Sequence, residues 1–144
     1  MIRAVLDTNV LASAVGSFYI PNSIPAALLH AAILRRFQLI TSAVILEELH
    51  RTLQKPYFQN RLSAQDIEEI ERIITLWARR IPIIVPVQGV APHPEDDPIL
   101  ATAASARVDY LVTGDGRLRK KVPSFSGIPL ISPAEFLEIL SREP

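Results

Sequence analysis

The chain has 144 residues, 49% of them hydrophobic and 21% charged, and its 15 basic and 15 acidic side chains give a formal net charge of zero. This composition excludes a disordered or fibrous protein, and the length predicts a single domain over residues 1–144. A neutral chain does not attract nucleic acid over its whole surface, so such binding would need local patches or bound metal. The absence of cysteine excludes disulfides and thiolate metal sites and fits a reducing compartment.

Membrane insertion and secretion are not expected from the hydropathy pattern. No uninterrupted apolar stretch of about 18 residues occurs, which predicts no membrane-spanning helix. The apolar N-terminus resembles a signal peptide, but Asp7 and Asn9 interrupt it. We therefore expect a cytoplasmic protein whose first residues are part of the fold.

Apolar periodicity predicts strands and helices that alternate along the chain. In order, we expect a strand at 2–6, helices at 8–15 and 24–36, a strand at 37–40, a helix from 43 to near 56, the longest helix at 64–79, a strand at 81–85, a proline-rich loop at 86–94, a helix at 97–107, strands at 109–113 and 128–131, and a last helix from 133. This order predicts an α/β class, with a three-layer α/β/α domain around a mainly parallel, five-stranded sheet.

Helix caps are predicted at three of these helix starts. Thr41 or Ser42 can cap the helix that begins near 43, and Ser63 can cap the longest helix. Ser132 precedes a proline at the first helical position and a glutamate two residues further on, which is the pattern of a capping box.

Four carboxylates stand where a parallel sheet would bring them to one edge. Asp7 ends the first strand, Asp97 starts a helix, Asp115 follows the strand at 109–113, and Glu48 lies inside a helix. Each aspartate alone has an ordinary role as a helix cap or turn residue. Together they would repel one another unless divalent cations neutralised them, and an all-oxygen ligand set favours Mg²⁺ or Mn²⁺ over Zn²⁺.

Two of these acids have acidic neighbours, which leaves the choice of residue open. Glu47 is expected to form a surface pair with Arg51, four residues on, whereas Glu48 lies beside the apolar stripe of its helix. A glutamate in that position needs a partner, either a metal ion or a basic side chain. Asp96 could equally take the capping role of Asp97.

Four short motifs follow one another along nearly the whole chain. They are Val5-Leu6-Asp7-Thr8-Asn9-Val10-Leu11, Thr41-Ser42 through Leu46-Glu47-Glu48-Leu49, Asp97-Pro98-Ile99-Leu100-Ala101-Thr102-Ala103, and Tyr110-Leu111-Val112-Thr113-Gly114-Asp115. Together they resemble the motifs of the PIN-domain ribonucleases and, within that family, the VapC-like toxins of bacterial toxin-antitoxin pairs.

The resemblance implies a metal-dependent endoribonuclease that is the toxin component of a toxin-antitoxin system. It implies Mg²⁺ or Mn²⁺ as cofactor, an RNA substrate, an antitoxin protein as partner and, in members that dimerise, a second copy of the chain. It favours Asp97 over Asp96, with Asn9 and Thr113 as polar supports. The catalytic and metal-binding acids that it implies are Asp7, Glu48, Asp97 and Asp115.

Positive charge near the acids is expected from the segment that follows Asp115. Its basic side chains are candidates for phosphate contacts, although a solvated loop would have the same composition. These candidates are Arg117, Arg119, Lys120 and Lys121. The three histidines have no mutual metal-ligand spacing and are predicted to lie on helix surfaces or in loops.

Two other functions fit part of the pattern. A phosphatase of the haloacid dehalogenase type also uses a strand-end aspartate, Mg²⁺ and a late Gly-Asp, but it has a second aspartate where this chain has Asn9. A non-catalytic PIN-like binding module would use the acids as caps and dock a protein partner on apolar helices, such as the one at 24–34.

Overall fold

The computed structural model describes residues 1–143 and has an α/β fold. Its strands are β1 (Arg3–Leu6), β2 (Gln38–Thr41), β3 (Arg79–Arg80), β4 (Tyr110–Val112), β5 (Ser124–Phe125) and β6 (Ile128–Ile131). They form one sheet in the order β3-β2-β1-β4-β6-β5, and only the pair of β5 and β6 is antiparallel. The predicted class and the mainly parallel sheet are confirmed. The additional strand is β5, whose two residues are too few to give a periodic signal.

The helices surround this sheet. They are α1 (Thr8–Gly16), α2 (Ile24–Ile33), α3 (Ala43–Leu53), α4 (Pro56–Gln59), α5 (Ala64–Trp77), α6 (Asp97–Ala106), α7 (Gly116–Lys121) and α8 (Pro133–Arg142), with one 3₁₀ turn at Pro94–Asp96. Helix α1 packs against α2, α3 and α5, whereas α6 packs on β1 and β4. Within residues 1–143, no helix combines the length and hydropathy needed to cross a membrane.

Strand β1 lies at the centre of the sheet, which determines where the site forms. Ala4, Val5 and Leu6 are completely buried, as expected for a parallel strand covered on both faces. The strand pairs with β2 on one side and with β4 on the other. The backbone amide of Asp7 continues the ladder by donating to the carbonyl of Val112 at 2.9 Å. Asp7 therefore lies in the middle of the carboxyl edge of the sheet.

The predicted helix caps are present in two of three cases. Ser63 accepts a hydrogen bond from an amide in the first turn of α5, and Ser132 forms the capping box with Glu135. Ser42 occupies the cap position of α3, but its hydroxyl bonds the hydroxyl of Thr102 at 2.8 Å instead of a helix amide. The expected cap is therefore replaced by a buried link between α3 and α6.

The predicted strand at 81–85 is wrong, because β3 ends at Arg80 and only the amide of Ile81 still bonds the neighbouring strand, at the carbonyl of Thr41. Pro82 has no amide hydrogen for a ladder. The amides of Ile84 and Val85 both donate to the hydroxyl of Ser105 at 2.9 Å, so they take no part in a strand. After Ile81, which packs against the core, the segment leaves the sheet with Ile83, Ile84 and Val85 exposed.

Several predicted helix ends also differ from the structure. Helix α2 stops at Ile33 rather than at 36, and Arg35 is left-handed with φ of 60°. Most apolar residues of α2 are buried in the core, so this helix does not present the free apolar face expected of a docking helix. Helices α4 and α7 were not predicted, because segments of four and six residues are too short to show a period. The basic segment after Asp115 is thus a helix and not a loop.

Candidate functional site

The carboxyl ends of β1 and β4 border a cleft of about 380 Å³. Acids from four separate segments line it: the end of β1, helix α3, the 3₁₀ turn before α6, and the loop after β4. They are Asp7, Glu48, Glu95, Asp96 and Asp115. The structure therefore brings three of the four acids implied by the motifs to one cleft, and Asn9 lies on the same wall.

Asp7 is almost completely buried, with 3% of its surface exposed. It occupies the cap position of α1, yet its carboxylate makes no capping hydrogen bond there. The hydroxyl of Thr113 donates to its Oδ2 at 2.7 Å. Burial raises the pKa of Asp7, the hydroxyl of Thr113 and the nearby amides of Asn9 and Thr8 lower it, and the charge of Asp115 adds a smaller increase. The first amides of α1 therefore offset only part of the burial of this carboxylate, which is unfavourable as an isolated anion.

Thr113 connects Asp7 to the second strand end. Its side chain is fully buried, and its oxygen accepts a hydrogen bond from the amide of Asp115 at 3.1 Å while it donates to Asp7. The Oδ1 atom of Asp115 accepts from the amides of Arg117 and Leu118, at 2.9 and 3.2 Å, and so caps α7. Asp115 consequently has a structural role and a place in the cleft at the same time.

Asp97 does not line the cleft, although the motif resemblance favoured it. Its carboxylate is buried and accepts three backbone hydrogen bonds, from Gly89 at 2.8 Å, Val90 at 3.2 Å and Ala91 at 2.8 Å. These bonds lower the pKa of Asp97, and the bond from Ala91 has the largest effect. The nearby charge of Lys121 lowers the pKa further. The side chain therefore fixes the loop at 89–91 rather than facing solvent in the cleft.

Asp96 takes the position in the cleft that was expected for Asp97. Burial, followed by the charges of Asp7 and Asp115, raises the pKa of Asp96 to about 6. The imidazole of His93 opposes this increase, and His93 lines the same cleft. The two aspartates differ because the loop amides hold one carboxylate while the preceding turn directs the other towards the acids.

Glu48 lines the cleft, whereas Glu47 lies in a neighbouring groove. The side chain of Glu48 is 48% exposed and pairs with Arg51 at 2.7 Å. The predicted Glu47–Arg51 pair is therefore replaced by a pair three residues apart, and Glu48 is not buried at a core margin. Spacings of three and four both place two side chains on one face of a helix, so the sequence could not separate them.

The donor chemistry of the cleft fits a hard divalent cation, because five of its lining side chains are carboxylates. Burial and, to a smaller degree, neighbouring carboxylates raise the pKa values of Asp7 and Asp96, so a bound cation would stabilise their charged forms. In the part of the chain that the structure describes, no group of three or more histidine, aspartate or glutamate side chains lies close enough together to share an ion. Glu48 must also leave Arg51 before it can serve as a ligand.

The predicted basic patch lies beside the cleft and not in it. Its four residues all lie in α7, and none lines the cleft. Arg119 donates to the carbonyl of Thr113 at 2.6 Å and is thereby part of the structure below the site. The basic side chains that do line the cleft are Arg51 and His93. Arg51 could have been found from its spacing to Glu48, but no signal in the sequence pointed to His93.

Comparison with known proteins gives a family match over most of the chain. A family model described as the PIN domain matches residues 3–117, which include every acid of the cleft. The chain belongs to the PIN domain family. PIN domains are typically metal-dependent nucleases. The phosphatase alternative accordingly has no further support. No curated protein sequence matches this PIN domain at a significant level.

Solved structures share the fold of this PIN domain at low sequence identity. PAE2754 from Pyrobaculum aerophilum has a TM-score of 0.65 and 19% identity, covering 99% of this chain and 91% of its own. FitAB bound to an IR36 DNA fragment has a TM-score of 0.56 and 20% identity, covering 90% and 94%. The PIN domain endonuclease Utp24 has a TM-score of 0.52 and 16% identity, covering 90% and 84%.

Proposed function

We propose that this PIN domain is a metal-dependent endoribonuclease whose acidic cleft binds one or two Mg²⁺ or Mn²⁺ ions. The observation that carries the proposal is the meeting of acids from four segments, two of them with raised pKa values. Carboxylates that serve only as caps need not gather where they raise one another's pKa. The proposed ligands are Asp7, Glu48, Asp96 and Asp115.

The residues of the cleft would have different tasks in this reaction. A bound cation would supply a water molecule of lowered pKa and would offset negative charge on the phosphodiester. Asp7 is held by burial and by Thr113, so its carboxylate is oriented before any ligand arrives. Glu48 is exposed and would move away from Arg51. Asp97 would position Asp96 by fixing the preceding loop, and not as a ligand.

Phosphate contacts beyond the cleft are proposed for the cations of α7 next to Asp115. Arg117, Lys120 and Lys121 are exposed and free to meet a nucleic acid backbone. Arg119 would instead support the strand end through its bond to the carbonyl of Thr113. The PIN domain endonuclease Utp24 and the DNA-bound FitAB share the fold, which is consistent with a nucleic acid substrate.

We further propose that the protein acts in the cytoplasm as the toxin of a toxin-antitoxin pair, with an antitoxin protein as partner and a homodimer as its assembly. This part rests on the resemblance of the four sequence motifs to those of the VapC-like toxins. Expression of the chain without a partner should stop bacterial growth, and the Asp7→Asn variant at equal protein level should not. Equal growth with both proteins would remove the toxin assignment but leave the nuclease proposal intact.

The nuclease proposal is tested with purified protein and a fluorescent single-stranded RNA. Wild-type protein should cleave the RNA internally with Mn²⁺ and lose this activity in chelator. Asp7→Asn and Asp96→Asn should fold and fail to cleave. If a folded wild-type sample bound no Mn²⁺ in calorimetry and cut no RNA, a protein-binding module would become the better description.

A further inference from the structure

A groove continues from the acidic cleft across α3 to the edge strand β3. Arg51 lines both the acidic cleft and the next depression on the α3 surface. A third depression shares Ala43 and Arg80 with this second one. The third depression also shares Val44 with the acidic cleft. Because neighbouring depressions have lining residues in common, they form one connected surface, which we call the flank groove.

The flank groove has an arginine at each end, and the one at the cleft is paired with Glu48. Arg51 marks the end at the cleft, and Arg80 marks the end at the sheet edge. Arg80 is exposed, and no carboxylate within residues 1–143 lies within 4.0 Å of its guanidinium. The groove contains one acid, Glu47, and its histidine, His50, already bonds Glu71 on α5. An anionic chain that leaves the acidic cleft would therefore meet an unpaired cation at Arg80.

One wall of the flank groove is apolar. It consists of Val44 and the residues that follow β3, namely Ile81, Pro82 and Ile83. Val44 and Ile83 are 41% and 36% exposed, which is high for large aliphatic side chains. Unpaired bases offer apolar faces to such a wall, whereas a duplex keeps these faces stacked inside.

We infer that the flank groove binds single-stranded RNA on one side of the scissile bond, with Arg80 at a phosphate and the Val44–Ile83 wall against bases. The inference rests on the proposed nuclease function and specifies its substrate as unpaired RNA. The strand would run from α7, beside Asp115, through the cleft and past Arg51 to β3. The substrate path is thus longer than the cleft and extends away from the basic segment that the sequence suggested.

Strand β3 offers a matched pair of variants. Arg79 and Arg80 are adjacent, both exposed and of equal charge, but successive residues of a strand point to opposite faces, and Arg79 lines neither depression of the groove. Arg80→Glu and Arg79→Glu therefore change the net charge equally while only one alters the groove. The ladder is made by backbone atoms, so both variants should fold, which circular dichroism would verify.

Binding is measured by fluorescence anisotropy with a single-stranded RNA of about 12 nucleotides in chelator, so that no cleavage occurs. Arg80→Glu should weaken binding about tenfold at low salt and reduce the slope of log K against log salt by roughly 0.7, the value for one phosphate contact on a single strand. Arg79→Glu should stay within about twofold of wild type and keep the slope. Ile83→Ser should reduce the preference for single-stranded over duplex RNA.

The outcomes separate this inference from the nuclease proposal. If wild type cleaves RNA but Arg80→Glu and Arg79→Glu bind equally, the flank groove is not the RNA path and a protein partner becomes its better occupant. If wild type binds RNA through Arg80 but does not cleave it with Mn²⁺, the groove inference stands and the nuclease proposal fails. If wild type binds no RNA in chelator but cleaves it with Mn²⁺, the groove inference fails and the nuclease proposal stands. If wild type neither binds nor cleaves RNA, both are overturned.

Discussion

Asp96 and Asp97 are neighbours of the same type, and the structure predicts that neutralising Asp97 destabilises the protein whereas neutralising Asp96 does not. Asp97→Asn keeps one oxygen for the amides of Val90 and Ala91 but turns an NH₂ group towards the amide of Gly89, now 2.8 Å from Oδ2. One hydrogen bond to a charged group is lost and two donors face each other, which costs about 1.5–3 kcal/mol. For a chain of this size that corresponds to a melting temperature lower by roughly 3–12 °C.

Asp96→Asn should instead be neutral or stabilising. The pKa of Asp96 is raised to about 6, so at neutral pH its negative charge is unfavourable in the folded state. After a discount for its partial exposure, removing that charge should stabilise the metal-free protein by on the order of 1 kcal/mol or less. Both variants would be unfolded thermally and with urea at about pH 7.5 in chelator. Equal destabilisation by the two variants, or a loss confined to Asp96→Asn, would contradict the different roles given to these carboxylates.

The remaining predictions concern the partners of the acids. Thr113→Val removes the hydroxyl that donates to Asp7 at 2.7 Å, so urea unfolding should show a loss of about 1–3 kcal/mol and calorimetry a weaker affinity for Mn²⁺; unchanged values for both would argue against the support role. Metal-free protein should become more stable as pH falls from about 8 to 5, because the raised pKa values of Asp7 and Asp96 mean that both acids bind protons more tightly in the folded state. This added stability is lost as pH rises through about 6. If the free energy of unfolding measured with urea rose with pH over that range, the predicted direction would be wrong. Arg51→Gln should free Glu48 and raise Mn²⁺ affinity by up to about fivefold, since an exposed pair contributes roughly 0–1 kcal/mol; weaker Mn²⁺ binding would mean that the pair does not compete with the metal.

The sheet and the shared acidic edge could be predicted because they depend on patterns within short segments. The apolar run before Asp7 is a fully buried strand, and the alternation of strands and helices requires a largely parallel sheet. Once the sheet is parallel, its strand ends lie on one side. Asp7 and Asp115 follow β1 and β4, which are hydrogen-bonded neighbours, so their approach follows from the topology alone.

The identity of the third acid could not be predicted, because it depends on contacts that are distant from the helix motif. Asp96 and Asp97 are both compatible with a helix start. Only the path of the loop at 89–91, with three amides directed at one carboxylate, decides which of them remains available. The same holds for the segment at 81–85, whose apolar pattern is typical of a strand. Its amides bond a serine of α6, a contact that no local pattern shows.

Anomalous diffraction from a crystal soaked in Mn²⁺ tests the central claim most directly. The account predicts a manganese peak in the cleft, contacted by Asp7 and Asp96, with Asp97 still accepting its bonds from the loop amides. A peak ligated by Asp97, or a fully soaked crystal with no peak between Asp7 and Asp115, would contradict it.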